Sequence, residues 1–251
     1  MTRTIAILGG TGLTEPSRLQ VINAHDVQTP YGNTSAPILE GDMGGHRVLF
    51  MARHGHPHRI APHQVNYRAN LWALQKLYAT DIVSVNAVGS ISIDRMPTRS
   101  LVLPDQIIDY TWGRIHTYYQ GDLESVKHVD LSYPYTDSLR DVLRRAARES
   151  GKTIADGGVY GVTQGPRLET AAEIVRMERD GCDIVGMTGM PEAALARELK
   201  LNYASLALVV NPAAGKSSKV ITLKDIQATL AVGMVDVRDV VSEAVRIFYE
   251  D

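Results

Sequence analysis

A chain of 251 residues is long enough to bury one large core and sits at the upper end of a single domain, so one α/β domain over residues 1–251 is the economical reading. Charges nearly cancel, 26 Lys and Arg against 28 Asp and Glu, and no basic run stands out; nucleic acid and an anionic membrane surface are excluded as expected partners, which leaves a small molecule. Cys182 is the one cysteine, the chain starts without a signal-peptide design, and no apolar run approaches about 18 residues, so no internal disulfide, no membrane span and a cytoplasmic location are expected.

Residues 4–8 read as a buried strand ending in Gly9-Gly-Thr-Gly12, a turn where backbone can approach a ligand closely. Two readings stay open there. A dinucleotide fingerprint needs a third glycine where Glu15 stands and a helix opening directly after it; a phosphate cradle needs only amides and a hydroxyl, which Thr11 offers. Thr29-Pro-Tyr-Gly32 is a turn, and residues 46–51 form a second buried strand that delivers Arg53 and His54 at its end. His54, His56, His58 and His63 then follow closely. Imidazoles two apart on an extended chain share a face, which suits a metal. Against this, no Asp or Glu stands nearby and Arg53 repels a cation while attracting an anion, so an anion site and a solvated loop compete with the metal reading.

Apolar spacing predicts a helix over residues 65–76, and residues 81–90 form a third strand running into a Gly-Ser turn. Further strands are expected at 101–108, 158–163 and 203–210, and amphipathic helices at 137–150, 170–180 and 223–249. Strands and helices alternate, which argues for a largely parallel or mixed sheet with helices on both sides. Residues 183–187 read as a short strand, Thr188 and Gly189 as the turn leaving it, and Pro191 as the first helical residue, where its missing N–H does no harm. Such a junction presents free amides and the positive end of a helix dipole to an anion; the plainer reading makes Thr188 an ordinary cap. Thr11, Arg53 with His54, Asn86 with Ala87, Thr188 and Asn211 all fall just after a buried strand in this reading. The crevice beyond the carboxyl ends of strands is the usual ligand site of such a sheet, and donors converging there suit phosphate.

At this point the chain resembles a known family over nearly its whole length. Gly9-Gly-Thr-Gly-Leu13, Thr29-Pro-Tyr-Gly32, Ala52-Arg-His-Gly55, Asn66-Tyr-Arg-Ala-Asn70, Asn86-Ala-Val-Gly-Ser90, Asp105-Gln-Ile-Ile-Asp109, Gly165-Pro-Arg-Leu-Glu-Thr170 and Gly186-Met-Thr-Gly-Met-Pro-Glu192 are similar to successive motifs of the purine nucleoside phosphorylase and methylthioadenosine phosphorylase family. The resemblance implies a mixed central sheet flanked by helices, assembly as a homotrimer or a dimer of trimers, and phosphorolysis of a purine nucleoside with no metal and no organic cofactor. It matches Thr11, Arg53, His54, Asn86, Ala87 and Thr188 to the phosphate site, and Arg53, His54 and Asn211 to the catalytic groups. Met187 matches the residue beneath the ribose, and Leu168 replaces an aromatic that stacks on the base. Asn211 and Ala213 occupy the base-recognition loop. His128, in Val126-Lys-His-Val129, is similar to a histidine that reaches into a neighbouring subunit's pocket.

Residue chemistry separates the branches of that family. A 6-oxopurine carries a hydrogen on N1 that an ionised Glu169 can accept, whereas adenine has a lone pair there that the carboxylate repels. The adenine branch carries a small hydroxyl residue here and aspartates in the loop held by Asn211-Pro-Ala-Ala214. A plainer role for Glu169 is to cap the following helix. At the sugar, where the inosine and guanosine branch places a histidine against the 5′-hydroxyl, this chain has Leu223 with Ile226 one turn on; an apolar wall welcomes a methylthio group instead. A 6-oxopurine on a 5′-methylthio sugar, 5′-methylthioinosine, is therefore the expected substrate, with methylthioadenosine or inosine as alternatives. A metal-dependent hydrolase built on the histidines and a non-catalytic purine or phosphate binder are the readings from other classes.

Overall fold

The structure, a computed structural model, describes residues 3–14, 18–121 and 127–250. In chain order it forms β1 (Ile5–Gly9), β2 (Gln20–His25), β3 (Ile38–Met43), β4 (His46–Ala52), α1 (Tyr67–Lys76), β5 (Asp81–Ser90), β6 (Leu101–Leu103), β7 (Gln106–Asp109), α2 (Asp137–Glu149), β8 (Ile154–Asp156), β9 (Val159–Val162), α3 (Ala171–Arg179), β10 (Ile184–Gly186), α4 (Gly189–Glu198), β11 (Asn202–Pro212) and α5 (Leu223–Glu250). Among the described residues the strands make one mixed sheet, ordered β2-β3-β4-β1-β5-β10-β9-β7, with β11 lying on β5 and leading on to β6 and β8. Glu15, where the dinucleotide fingerprint would need its third glycine, lies outside the described residues, as does Val126 of the segment around His128. No helix follows Gly12 among the described residues; the next element is β2.

Alternation along the buried strands divides the core between two layers. Ile5 and Ile7 of β1, with Val83, Leu206 and Leu208, face α2 and α5, whereas Ala6, Leu8, Ile82 and Val209 face α1 and α4. Local signals set the helix ends. Asn66 accepts from the Ala69 amide at the start of α1, and Thr170 and Glu173 form a reciprocal capping box on α3. Along α5, Leu230, Met234, Val237, Val241, Val245 and Phe248 recur at helical spacing and are buried, which seats this 28-residue helix along the sheet.

Four expectations change. The strand expected at 101–108 is two, because Pro104 has no ladder N–H; β6 runs antiparallel to β11 while β7 runs parallel to β9. Strands β2, β3 and β8 carried no usable pattern: β2 is exposed on both faces and β8 is three residues long. Asn86 and Ala87 lie within β5 rather than after it, and Asn211 lies within β11 past a register shift between Val209 and Asn211. α4 begins at Gly189, but Met190 is extended (φ −121°, ψ 142°), so regular turns start at Pro191 as its chemistry required.

The placement of Asn86 and Ala87 follows from how β5 is paired. One edge carries β11 along its whole length. The other carries β1, in parallel, only from Asp81 to Ser84, and then β10, antiparallel, at Gly89 and Ser90. Residues 85–88 of that edge have no strand partner in these ladders, so a gap opens in the middle of the sheet, between the end of β1 and the end of β10.

Candidate active site

A cavity of about 690 Å³ stands over this gap, within the range of small-molecule sites. Gly10, Thr11, Arg53, His54, Asn86, Ala87 and Thr188 line it together with Leu168, Glu169, Met187, Asn211, Ala213, Leu223 and Ile226. Thus β1, β4, β5, β10 with α4, the loop before α3, β11 and the start of α5 each bring the side chain that sequence reasoning singled out. His128 is the exception: it is exposed and does not line the cavity of its own chain.

Backbone forms one wall. A Cβ on Gly10 would stand 2.5 Å from the Val85 carbonyl oxygen and 2.9 Å from Arg53 Nη1, so only glycine lets β1 end this close to β5. The chain turns immediately, with the Leu13 amide donating to the Gly10 carbonyl at 3.0 Å.

Arg53 differs from expectation. Its guanidinium is fully buried and is not an open cation: Nε and Nη2 donate to the Glu192 carboxylate at 2.7 and 3.0 Å, Nη1 to the Val85 carbonyl at 3.1 Å, and Nη2 also to Ser84 Oγ and the Leu8 carbonyl. Burial alone would favour loss of the proton, but the Glu192 charge and hydrogen bonds raise the guanidinium's pKa well above its ordinary value. Glu192, also fully buried, accepts further from Tyr203 Oη at 2.8 Å and lies 2.7 Å from Ser84 Oγ. Asn86 extends the network, accepting from Ser205 Oγ and donating to Thr188 Oγ1 at 2.8 Å. Thr188 makes no cap bond to its own helix. With a lone pair committed to Asn86, its hydroxyl hydrogen is free to be donated at the cavity, beside the amides that open α4.

His54 is buried, its Nδ1 lies 2.8 Å from the Ile60 carbonyl oxygen, and its ring stacks on His58 with centroids 4.4 Å apart and planes 3° from parallel. Burial, reinforced by the neighbouring Arg53 charge, pushes its pKa down to about 4, so the imidazole is neutral near pH 7. Among the described residues no group of three His, Cys, Asp or Glu is placed to hold a metal. Of the closely spaced histidines, His54 and His58 stack on each other.

Glu169 takes no part in capping α3, a role filled by Thr170 and Glu173. Its Oε1 accepts from Thr163 Oγ1 at 2.6 Å, which fixes the carboxylate at the cavity. Asn211 is drawn in by the register shift in β11, opposite Gly89, and its side-chain amide donates to the Pro212 carbonyl at 2.6 Å. The Ala213 amide donates to the Ser90 carbonyl at 2.7 Å. Leu168 and Leu223 are exposed, with 42% and 76% of their surface accessible, so the apolar lining at these two positions belongs to the cavity's open side.

Sequence reasoning missed the residues that hold these groups rather than face the cavity. Ser84 and Tyr203 carry no motif signal of their own, and Glu192, though it closes the Gly186–Glu192 motif, had been given no role. Arg114, in a loop with no periodicity, is buried and donates to the carbonyls of Thr163, Gln164, Met187 and Met190 at 2.6–3.1 Å, joining the segment before α3 to the β10–α4 junction.

The phosphorylase superfamily model matches residues 4–246. The chain is 58% identical over 229 residues to a probable S-methyl-5′-thioinosine phosphorylase of Pseudomonas syringae pv. tomato, covering 91% of this chain and 93% of the relative. It is 45% identical to a probable 6-oxopurine nucleoside phosphorylase of Thermococcus kodakarensis, covering 90% and 86%. A methylthioadenosine phosphorylase of Schistosoma mansoni, solved with adenine, superimposes with a TM-score of 0.95 at 32% identity over all of this chain and 93% of that one. With a matching sheet, a family model spanning nearly every residue and relatives this similar along their length, the chain belongs to the phosphorylase superfamily.

Proposed function

We propose that the protein cleaves S-methyl-5′-thioinosine with inorganic phosphate, giving hypoxanthine and 5-methylthioribose 1-phosphate, a purine-salvage reaction. One observation carries this reading: a single cavity combines Glu169, held by Thr163, and Asn211 with the apolar Leu223 and Ile226. A carboxylate that can accept the N1 hydrogen favours a 6-oxopurine over adenine. An apolar wall favours methylthio over hydroxyl, a difference of about 1–3 kcal/mol. The relative of Pseudomonas syringae is named for that same substrate.

In the proposed reaction, phosphate lies against the Gly10–Thr11 turn, His54, Ala87 and Thr188, with the Arg53–Glu192 pair beneath it. Cleavage of the N-glycosidic bond builds positive charge on the sugar and negative charge on the base. The anion is nucleophile and counter-charge at once, and Asn211 donates to the base as electrons arrive, a contact of a kind whose loss costs about 3 kcal/mol. Met187 packs under the ribose, and Leu168 and Ala213 meet the base. No metal or organic cofactor is called for. The active form is a homotrimer, or a dimer of trimers, in which His128 reaches a neighbour's cavity, and the enzyme works in the cytoplasm.

The test is kcat/KM for methylthioinosine, methylthioadenosine, inosine and guanosine, each with and without phosphate. Methylthioinosine should rank first and cleavage should require phosphate. A higher value for methylthioadenosine defeats the Glu169 argument; a higher value for inosine defeats the Leu223 argument.

A further inference from the structure

The tautomer of His54 is fixed by its partner. A carbonyl oxygen only accepts, so the contact of 2.8 Å to Ile60 places the hydrogen on Nδ1. The neutral ring then has one polar atom left, Nε2, and this atom can only accept. Nε2 makes no hydrogen bond among the described residues and is not sealed in the interior, and His54 lines the cavity. An unmatched acceptor at an anion site is unusual, since the groups expected to hold an anion are donors: backbone amides have no choice, and Thr188 Oγ1, which accepts from Asn86, keeps a hydrogen to donate. Oxygen atoms of a fully deprotonated anion would meet the Nε2 lone pair with lone pairs of their own. An anion with an O–H group would satisfy it.

We propose that His54 selects oxyanions that carry a proton, hydrogen phosphate over sulfate, through an Nε2 lone pair turned to the anion; this rests on the phosphate site assigned above. The two dianions are alike in size, shape and charge, so the proton is what His54 can read. The neighbouring groups reinforce the choice: Arg53, the preceding residue, is a cation paired with Glu192, and His58 stacks parallel on the ring face, which sets no acceptor in the plane of the His54 ring to favour a doubly protonated imidazolium. Burial and Arg53 together hold the ring neutral down to about pH 4.

Isothermal titration with potassium phosphate and potassium sulfate at pH 7.5 measures the preference without turnover. Phosphate should bind at least tenfold more tightly, equivalent to about 1.4 kcal/mol. Sulfate affinity should improve as the pH is lowered toward 5, because His54 must take up a proton to donate to it. In His54→Gln the amide can turn either its N–H₂ or its C=O to the anion, so the phosphate-to-sulfate ratio should fall toward one, whatever happens to turnover. Nitrogen-15 spectra at pH 7.5 should show His54 protonated on Nδ1 alone. Equal binding of the two anions, an unchanged ratio in His54→Gln, or a hydrogen on Nε2 would each overturn the assignment. Loss of phosphorolysis with the anion preference intact would instead overturn the proposed reaction and leave the role of His54 standing.

Discussion

Replacing Glu192 by glutamine keeps the side chain's shape and removes its charge, which isolates what the buried pair with Arg53 does. Both residues are fully buried, and the carboxylate receives two hydrogen bonds from the guanidinium, at 2.7 and 3.0 Å. In the variant an amide –NH₂ must face either Arg53 Nε or the Tyr203 and Ser84 hydroxyls, so at least one donor meets a donor, and Arg53 keeps a buried positive charge with no partner. Breaking a pair of this kind costs about 3–5 kcal/mol. At about 2–4 °C per kcal/mol for a chain of this size, Tm should fall by roughly 6–20 °C. The variant's response to phosphate is the sharper readout. A bound dianion replaces the missing negative charge, so phosphate should raise the Tm of Glu192→Gln by more than it raises that of the wild type. Scanning calorimetry of both proteins with and without phosphate measures the two effects. A variant that melts within about 2 °C of the wild type refutes the structural role, and an equal or smaller phosphate increment refutes the electrostatic link between Arg53 and the anion.

The double substitution Glu169→Ser with Asn211→Asp should move kcat/KM at least tenfold from methylthioinosine toward methylthioadenosine; no gain on the 6-amino nucleoside would place base choice outside this pair. Gly10→Ala forces a Cβ to within 2.5 Å of the Val85 carbonyl, and backbone on both sides cannot move cheaply, so phosphate KM should rise at least tenfold while the far-UV circular dichroism stays native. Wild-type kinetics in the alanine variant would mean that β1 and β5 are free to separate there. The acid response follows from His54, whose pKa is pushed down to about 4 when folded against about 6.5 when unfolded. Between those values the unfolded chain binds the extra proton, so stability is lost as pH falls through this window, by up to about 3 kcal/mol. Urea unfolding of the wild type at pH 7 and pH 4.5 should show the loss, and His54→Gln should lose less; parallel losses in the two proteins would assign the effect to other groups.

Most of the cavity lining was legible in the sequence because each residue sits in a short motif with a backbone reason. Gly10 permits a close approach, Thr188 precedes a helix opened by Pro191, and Asn211 closes a buried strand. What could not be read was the partnering. Arg53 looks like an anion-binding cation until Glu192, 139 positions later, is seen clasping it. Glu169 and its rival cap residues are adjacent in sequence, and only the geometry of Thr170 and Glu173 separates them. The strand pattern failed where burial did: β2 has no hidden face, so period two has nothing to report, and Pro104 divided an apolar run whose two halves join different neighbours. The span of β5 was read correctly as 81–90, yet Asn86 and Ala87 were also expected just beyond a strand. What the sequence could not show is that β5 outlasts β1 by changing partner, which puts its middle rather than its end at the cavity.

That change of partner joins the fold to the proposed chemistry. Where β1 stops and β10 has not yet begun, the middle of β5 has no neighbour on one edge, and the residues there are pressed toward the cavity rather than toward a strand. With the arginine already paired to Glu192 beneath this opening, a phosphate bound as proposed would be held mainly by amides, hydroxyls and a helix start rather than by a net cation. A full ion pair would stabilise the free phosphate as much as the reacting one, and binding both equally does not accelerate the chemical step. Oriented dipoles fixed by a buried network place the nucleophile while leaving its charge to respond to the sugar, and their effect grows as positive charge develops on that sugar. On this view Glu192 moderates Arg53. A guanidinium freed of its carboxylate should grip phosphate more tightly and turn it over more slowly, so in Glu192→Gln a lower phosphate KM should accompany a lower kcat. Steady-state kinetics below the variant's melting range decides the matter: a fall in kcat with phosphate KM raised would make Glu192 a scaffold alone.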